Sequence, residues 1–142
     1  MTKEEIFEKC TSAGIMQVAT VDGDQPRVRT VMLYRADENG IIFHTADFKG
    51  FFQQIQKNPK VELCFNCNNE MIRVAGTLEI VEDRSLKEEI VAHPSRAFMR
   101  NWLESGVMPD FWENVKVLRM CHGVATVWTM ATNFEPKEYI QL

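Results

Sequence analysis

Three arginines, Arg27, Arg29 and Arg35, stand along one β-compatible stretch, and a His44-Thr45 pair ends the next. Arg27 and Arg29 are two apart, so on a strand they share a face, with Val28, Thr30 and Met32 on the other. Like charges this close repel unless water screens them or an anion sits between them. A guanidinium presents a planar fork that donates two parallel hydrogen bonds to a phosphate. Lys49 follows in the first turn of a helix-like segment, whose free backbone N–H groups form an anion site of their own. A cationic strand leading to a hydroxyl at a strand-to-helix junction suits a phosphorylated ligand. A solvated barrel rim is the alternative that spacing alone leaves open.

Other chemistry has less to stand on. The chain has no GxSxG, no phosphate-binding GxxxxGK[ST] loop and no HExxH. His44, His93 and His122 have no acid or nucleophile at a telling spacing. The carboxylate pairs Glu4/Glu5 and Glu88/Glu89 read as solvated helix faces and first-turn acids beside the helix dipole. No side chain is therefore assigned as catalytic. Cys64-Phe65-Asn66-Cys67 is formally a CxxC, and Cys121-His122 would complete a Cys3His set. The segment VELCFNC alternates like a strand, however, and residues three apart on a strand point to opposite faces. No metal site is expected.

The chain has 142 residues and a formal net charge of −4. That length suits one domain, 1–142, able to bury about two-thirds of its unfolded surface without disulfides or metal. The negative balance argues against a general nucleic-acid binder. No apolar run approaches the roughly 18 residues of a membrane span. The first ten residues, MTKEEIFEKC, are charged and amphipathic and lack a signal-peptide core, so a cytoplasmic location is expected.

These residues must be positioned by elements that the pattern also predicts. Thr2 to Ala13 is a helix opened by the capping box Thr2-Lys3-Glu4-Glu5 and ended by Gly14. Strands follow over Ile15–Val21 and Gln25–Tyr34, joined by an Asp22-Gly23-Asp24 turn. Asp37–Gly40 turns the chain into a third strand, Ile41–Thr45. Asp47–Lys57 is helical, with Phe48, Phe51, Phe52 and Ile55 at i, i+3, i+4 and i+7. Asn58-Pro59 stops it. Lys60–Asn66 and Glu70–Val81 are strands around Asn68-Asn69, with Gly76 marking a bulge or bend. Asp83–His93 is a helix with a second capping-box pattern at Ser85–Glu88, and Ser95–Glu104 is another, ended by Gly106. Val115–Met120 and Gly123–Met130 are the last strands, and the tail ATNFEPKEYIQL is irregular. The order predicts a mainly β, α+β fold: a small barrel of about six to seven antiparallel strands with helices packed outside.

On these elements the chain resembles the pyridoxamine 5′-phosphate oxidase-like family of FMN-binding split barrels. The matching residues are Arg29-Thr30-Val31-Met32-Leu33, Asp37-Glu38-Asn39-Gly40, Ile42-Phe43-His44-Thr45, Gln54-Ile55, Asn58-Pro59-Lys60-Val61 and Arg73-Val74-Ala75-Gly76. The closing GVATVWTMATNFEPKEY is similar to the general-stress-protein branch of that family. The resemblance implies a homodimer with FMN at the subunit interface. It implies that Arg29 and a basic residue at the start of the next helix hold the phosphate. The backbone of Arg29, Thr30, Val31, Met32 and Leu33 would run along the isoalloxazine, and His44 and Thr45 would touch the ring or the ribityl chain. Trp128 or Trp112 would stack on the ring from the partner subunit. Where many relatives carry a lysine this chain has Gly50-Phe51, and the nearest cation is Lys49. The arginines that grip pyridoxal in the vitamin B6 oxidases have no clear match. The implied activity is flavin-dependent oxidoreduction with a small-molecule electron donor or substrate. The alternatives are a flavin carrier or sensor without turnover, or the same fold holding haem or a deazaflavin.

Overall fold

The computed structural model describes residues 1–142. Helix α1 (Lys3–Ala13) starts as its sequence dictates. The Thr2 hydroxyl accepts from the Glu5 amide, and the Glu5 carboxylate accepts from the Thr2 amide at 2.7 Å. Gly14, at φ 73°, closes it in a conformation that costs glycine little. Strands β1 (Ile15–Asp22) and β2 (Gln25–Met32) form a hairpin, followed by β3 (Arg35–Asp37), β4 (Gly40–Ala46) and helix α2 (Gly50–Lys57). Then come β5 (Lys60–Cys67), β6 (Glu70–Thr77), β7 (Glu79–Val81), α3 (Arg84–Ala92) and a 3-10 turn (Pro94–Arg96). The chain ends with α4 (Ala97–Ser105), α5 (Phe111–Asn114), β8 (Val115–Met120), β9 (Val124–Thr129) and β10 (Ile140–Gln141).

The strands form two antiparallel sheets: six strands in the order β10-β9-β6-β5-β1-β2, and four in the order β3-β4-β8-β7. Between them lies the main core, with Met16, Val18, Phe43, Leu63, Phe65, Ile72, Val74 and Leu118 all fully buried. Each such side chain contributes about 1.5–3 kcal/mol by leaving water. A second core fills the space between the four-stranded sheet and the insert formed by α3, α4 and α5, around Ile42, Ile90, Met99, Phe111 and Val117. Strand β4 serves both. Ile41 and Phe43 face the barrel interior, while Ile42 and Ala46 face the insert. Strand periodicity therefore puts His44 on the insert side and Thr45 on the barrel side.

The structure divides the chain more finely than the sequence predicts. The expected strand Gln25–Tyr34 ends at Met32 and resumes as β3; the expected strand Glu70–Val81 breaks at Leu78. At both breaks the chain steps from the six-stranded to the four-stranded sheet. The freed amides are taken up locally, Leu33 by the Gly14 carbonyl and Leu78 by the Pro59 carbonyl, both at 2.9 Å. These corners close the barrel, and with the short β10 they raise the strand count to ten. Gly76 marks a close approach: a Cβ there would lie 2.7 Å from Met120 Sδ. Helix α3 is capped by Asp83, which accepts from the Ser85 and Leu86 amides. The tail is not wholly irregular, since β10 pairs with β9. Strand β2 is outermost in its sheet, and all its residues are exposed or half-buried.

Candidate functional site

A cleft of about 620 Å³ opens between β2, the end of β4, the start of α2 and the insert around α4. Its lining is mostly apolar and contains Arg29, Lys49 and His44 but no carboxylate. Uncompensated positive charge in a low-dielectric cleft attracts an anion.

Arg29 is the centre of one half. Its Nη1 donates to the Thr20 hydroxyl at 2.7 Å and the Val18 carbonyl at 3.2 Å, and Nη2 donates to Gln54 Oε1 at 2.6 Å. The Thr20 hydroxyl also donates to Gln54 Oε1 at 2.7 Å. The guanidinium lies over the Phe51 ring, 4.4 Å from its centroid. All these partners are neutral, so the charge is held in place without being neutralised. A guanidinium has five N–H donors, and Nε–H has no acceptor in the chain. Burial and the nearby Arg27 charge lower its proton affinity, yet an arginine stays protonated at any working pH.

The start of α2 supplies the rest of this half. Lys49 is its N-cap residue, exposed, with no ion pair and no capping side-chain bond. The Gly50 and Phe51 amides have no acceptor within the chain. These are the unsatisfied donors that make a helix N-terminus an anion site. The Thr45 hydroxyl, at the mouth of the barrel, also lacks a protein partner.

The other half is built by the insert. Phe98 and Trp102 of α4 meet edge-to-face with centroids 5.0 Å apart, and the His44 ring lies 6.3 Å from Phe98. Val107 and Met108 extend this wall. Beneath it Arg96, 2% exposed, donates to His44 Nε2 at 3.2 Å, to Ser95 Oγ at 2.8 Å and to the Leu33 carbonyl at 3.0 Å. Burial, then the Arg96 and Lys49 charges, pushes the His44 imidazole down to about 4. His44 is therefore neutral at physiological pH.

The sequence pattern of the pyridoxamine 5′-phosphate oxidase family matches residues 2–116. The chain belongs to this family. A curated relative, the pyridoxine/pyridoxamine 5′-phosphate oxidase of Rhodopseudomonas palustris, is 33% identical over 99 residues, covering 66% of this chain but 46% of its own. The chain thus spans about half the length of the curated relatives it matches. Among solved structures, a nimC/nimA family protein from Clostridium acetobutylicum superposes with a TM-score of 0.75 at 26% identity, over 99% of this chain and 93% of its own. A protein from the same organism related to general stress protein 26 superposes with a TM-score of 0.72 at 18% identity, over 99% and 94%. A pyridoxamine 5′-phosphate oxidase-related, FMN-binding protein from Nostoc punctiforme gives 0.58 at 22% identity, over 96% and 85%. The expected split barrel is therefore the fold of this pyridoxamine 5′-phosphate oxidase-family chain.

The structure gathers most of the expected cofactor-binding residues into the cleft: Arg29, Thr30, Val31, Met32, His44, Thr45 and Lys49 all line it. Leu33 does not; it turns into the barrel core and offers its carbonyl to Arg96. Arg27 is at the hairpin end, paired with Asp22 at 3.3 Å, and Arg35 pairs with Asp37 and Glu89 on the four-stranded sheet. Of the three arginines, Arg29 alone reaches the cleft. Trp128 lies on β9 and donates to Asn133 at 2.7 Å, outside this chain's cleft, and Trp112 packs under Arg84 at 3.9 Å. Sequence reasoning did not assign Thr20, Gln54, Phe51 or Arg96. Thr20 comes from β1, whose register sets it opposite Arg27, and Gln54 and Phe51 come from α2, which packs against β1. Phe48, the first residue of the predicted apolar stripe, precedes the helix and is 61% exposed at the cleft mouth.

Proposed function

We propose that the cleft binds FMN and that the protein is a flavin-dependent oxidoreductase acting on a small-molecule donor or substrate. The single observation behind this reading is Arg29, held by neutral acceptors with an unspent donor at the mouth of an acid-free cleft. The residues fit the cofactor. Arg29, Lys49 and the Gly50 and Phe51 amides would hold its phosphate, and Thr45 and the Thr30–Met32 strand would face its chain and ring. Bound flavin would supply hydride or electron transfer, and the protein would supply orientation and electrostatics. The likeness to the FMN-binding protein of Nostoc punctiforme supports the same cofactor.

The whole chain, 1–142, would act as one cofactor-binding domain and as a homodimer. Val28, Phe48 and Val107 are 69%, 61% and 69% exposed beside the cleft, and β2 leaves a sheet edge open. A second copy would cover them, and Trp128 would reach a cofactor only from that copy. A monomeric mass in light scattering at micromolar concentration contradicts this part of the proposal.

The absorption spectrum of the purified protein is the first test. A flavin spectrum, bleached by NAD(P)H under anaerobic conditions, is the expected outcome. A flavin that neither NAD(P)H nor a ferredoxin-type donor reduces would favour a carrier or sensor without turnover. A haem or deazaflavin spectrum would overturn the assignment of FMN.

A further inference from the structure

Arg96 is as buried as a core leucine, yet no carboxylate accompanies it. Each of its three nitrogens has an acceptor instead, and one of these is His44 Nε2. A guanidinium only donates. The ring nitrogen it faces must therefore carry a lone pair. Neutral His44 then has its proton on Nδ1. That N–H has no partner within the chain, and His44 lines the cleft. The same arginine ties the insert to both cleft walls, through the Leu33 carbonyl after β2 and His44 on β4.

We infer that Arg96 is a positioning residue: it holds His44 as the neutral imidazole with its proton on Nδ1, and so presents a fixed hydrogen-bond donor to an acceptor atom of the bound cofactor. Only the identity of that cofactor rests on the flavin reading above.

The surroundings keep a second proton off the ring. Arg96 faces it from the 3-10 turn, Lys49 from ahead of α2, and Arg29 lies across the cleft on β2. The insert contributes Phe98, and the β8 residue paired with His44 is Val117. No carboxylate lines the cleft to favour the imidazolium. A donor fixed in one tautomer costs no reorganisation when a carbonyl oxygen or ring nitrogen arrives.

The test is the tautomer itself, read by nitrogen-15 NMR of histidine-labelled protein without FMN at pH 7 and pH 5.5. Loss of one imidazole in His44→Gln assigns the signal. The expected result is a neutral ring protonated on Nδ1 at both pH values. A ring protonated on Nε2, or an imidazolium at pH 5.5, overturns the inference. In Arg96→Met the expected result is a mixture of both neutral tautomers and a ring that takes up its second proton at a higher pH than in wild type, though still below the ordinary value because His44 stays buried beside Lys49. An unchanged spectrum overturns the role of Arg96. Should that variant fail to fold, the wild-type tautomer still decides. Saturating FMN is then expected to shift the Nδ1–H proton resonance, and no shift overturns its assignment to the cofactor. A protein that shows the tautomer but binds no FMN refutes the flavin reading and upholds the state of His44.

Discussion

Arg29 and Arg96 flank the same cleft, and neither has a carboxylate, yet they are opposites. Every nitrogen of Arg96 is bonded and 2% of the residue is exposed, so it can act only through what it touches. Arg29 is half-buried, gripped by Val18, Thr20 and Gln54, and keeps Nε–H free. The lesson is that a missing counter-ion does not by itself mark a ligand site. What marks it is a charge that is fixed, uncompensated and still has a donor to offer. Arg27 and Arg35 fail on the second count, because Asp22, Asp37 and Glu89 already answer them.

The contrast can be broken by substitution. Arg29→Ala removes a charge-assisted phosphate contact and is expected to weaken FMN binding by about 1.5–3 kcal/mol, or roughly 10- to 150-fold, in a fluorescence titration. Its stability should stay within about 1 kcal/mol of wild type, because Thr20 and Gln54 remain bonded to each other. Arg96→Met should do the reverse. It leaves the Leu33 carbonyl without its donor and should cost about 1–3 kcal/mol in urea unfolding, with a smaller loss of FMN affinity than Arg29→Ala. Equal effects on affinity would erase the distinction between the two arginines.

Lowering the pH probes the Arg96 side alone. His44 is held near 4 when folded and sits near 6.5 when unfolded, so between these values the unfolded chain binds the extra proton. Its contribution is fully present above about pH 6.5 and is lost as the pH falls toward 4. Between pH 6.5 and pH 5 the loss should reach about 2 kcal/mol. On acidification from pH 7 to pH 5 wild type should lose more stability than His44→Gln, by about 2 kcal/mol; parallel pH profiles would contradict the buried neutral histidine. The smallest expected effect is that of Lys49→Ala. This exposed cation ahead of α2 should contribute about 0.5–1 kcal/mol, or roughly 2- to 5-fold in FMN affinity, weakening with salt. A larger loss than in Arg29→Ala would make Lys49 the main phosphate ligand.

Much of the Arg29 half is legible in the sequence. Period-two spacing places Arg29 on a strand, and the Phe51-Phe52-Ile55 stripe places α2 next to it. Lys49 is legible as a cation at the start of α2, though as its cap and not in its first turn. The Arg96 half is not legible. Arg96 and His44 are 52 residues apart, and their meeting depends on how the insert lies on the four-stranded sheet. The barrel corners were hidden for a similar reason. Leu33 and Leu78 look like ordinary strand residues, and only the hydrogen bonds to Gly14 and Pro59 show that the chain changes sheet there.

The central claim is that Arg29 meets a phosphate. Titrating apo-protein with FMN and with riboflavin, in wild type and in Arg29→Ala, isolates that contact. Wild type is expected to bind FMN at least about 10-fold more tightly than riboflavin, and the gap should narrow in Arg29→Ala to the few-fold that Lys49 and the α2 amides supply. Equal affinity of the wild-type protein for the two flavins would contradict it.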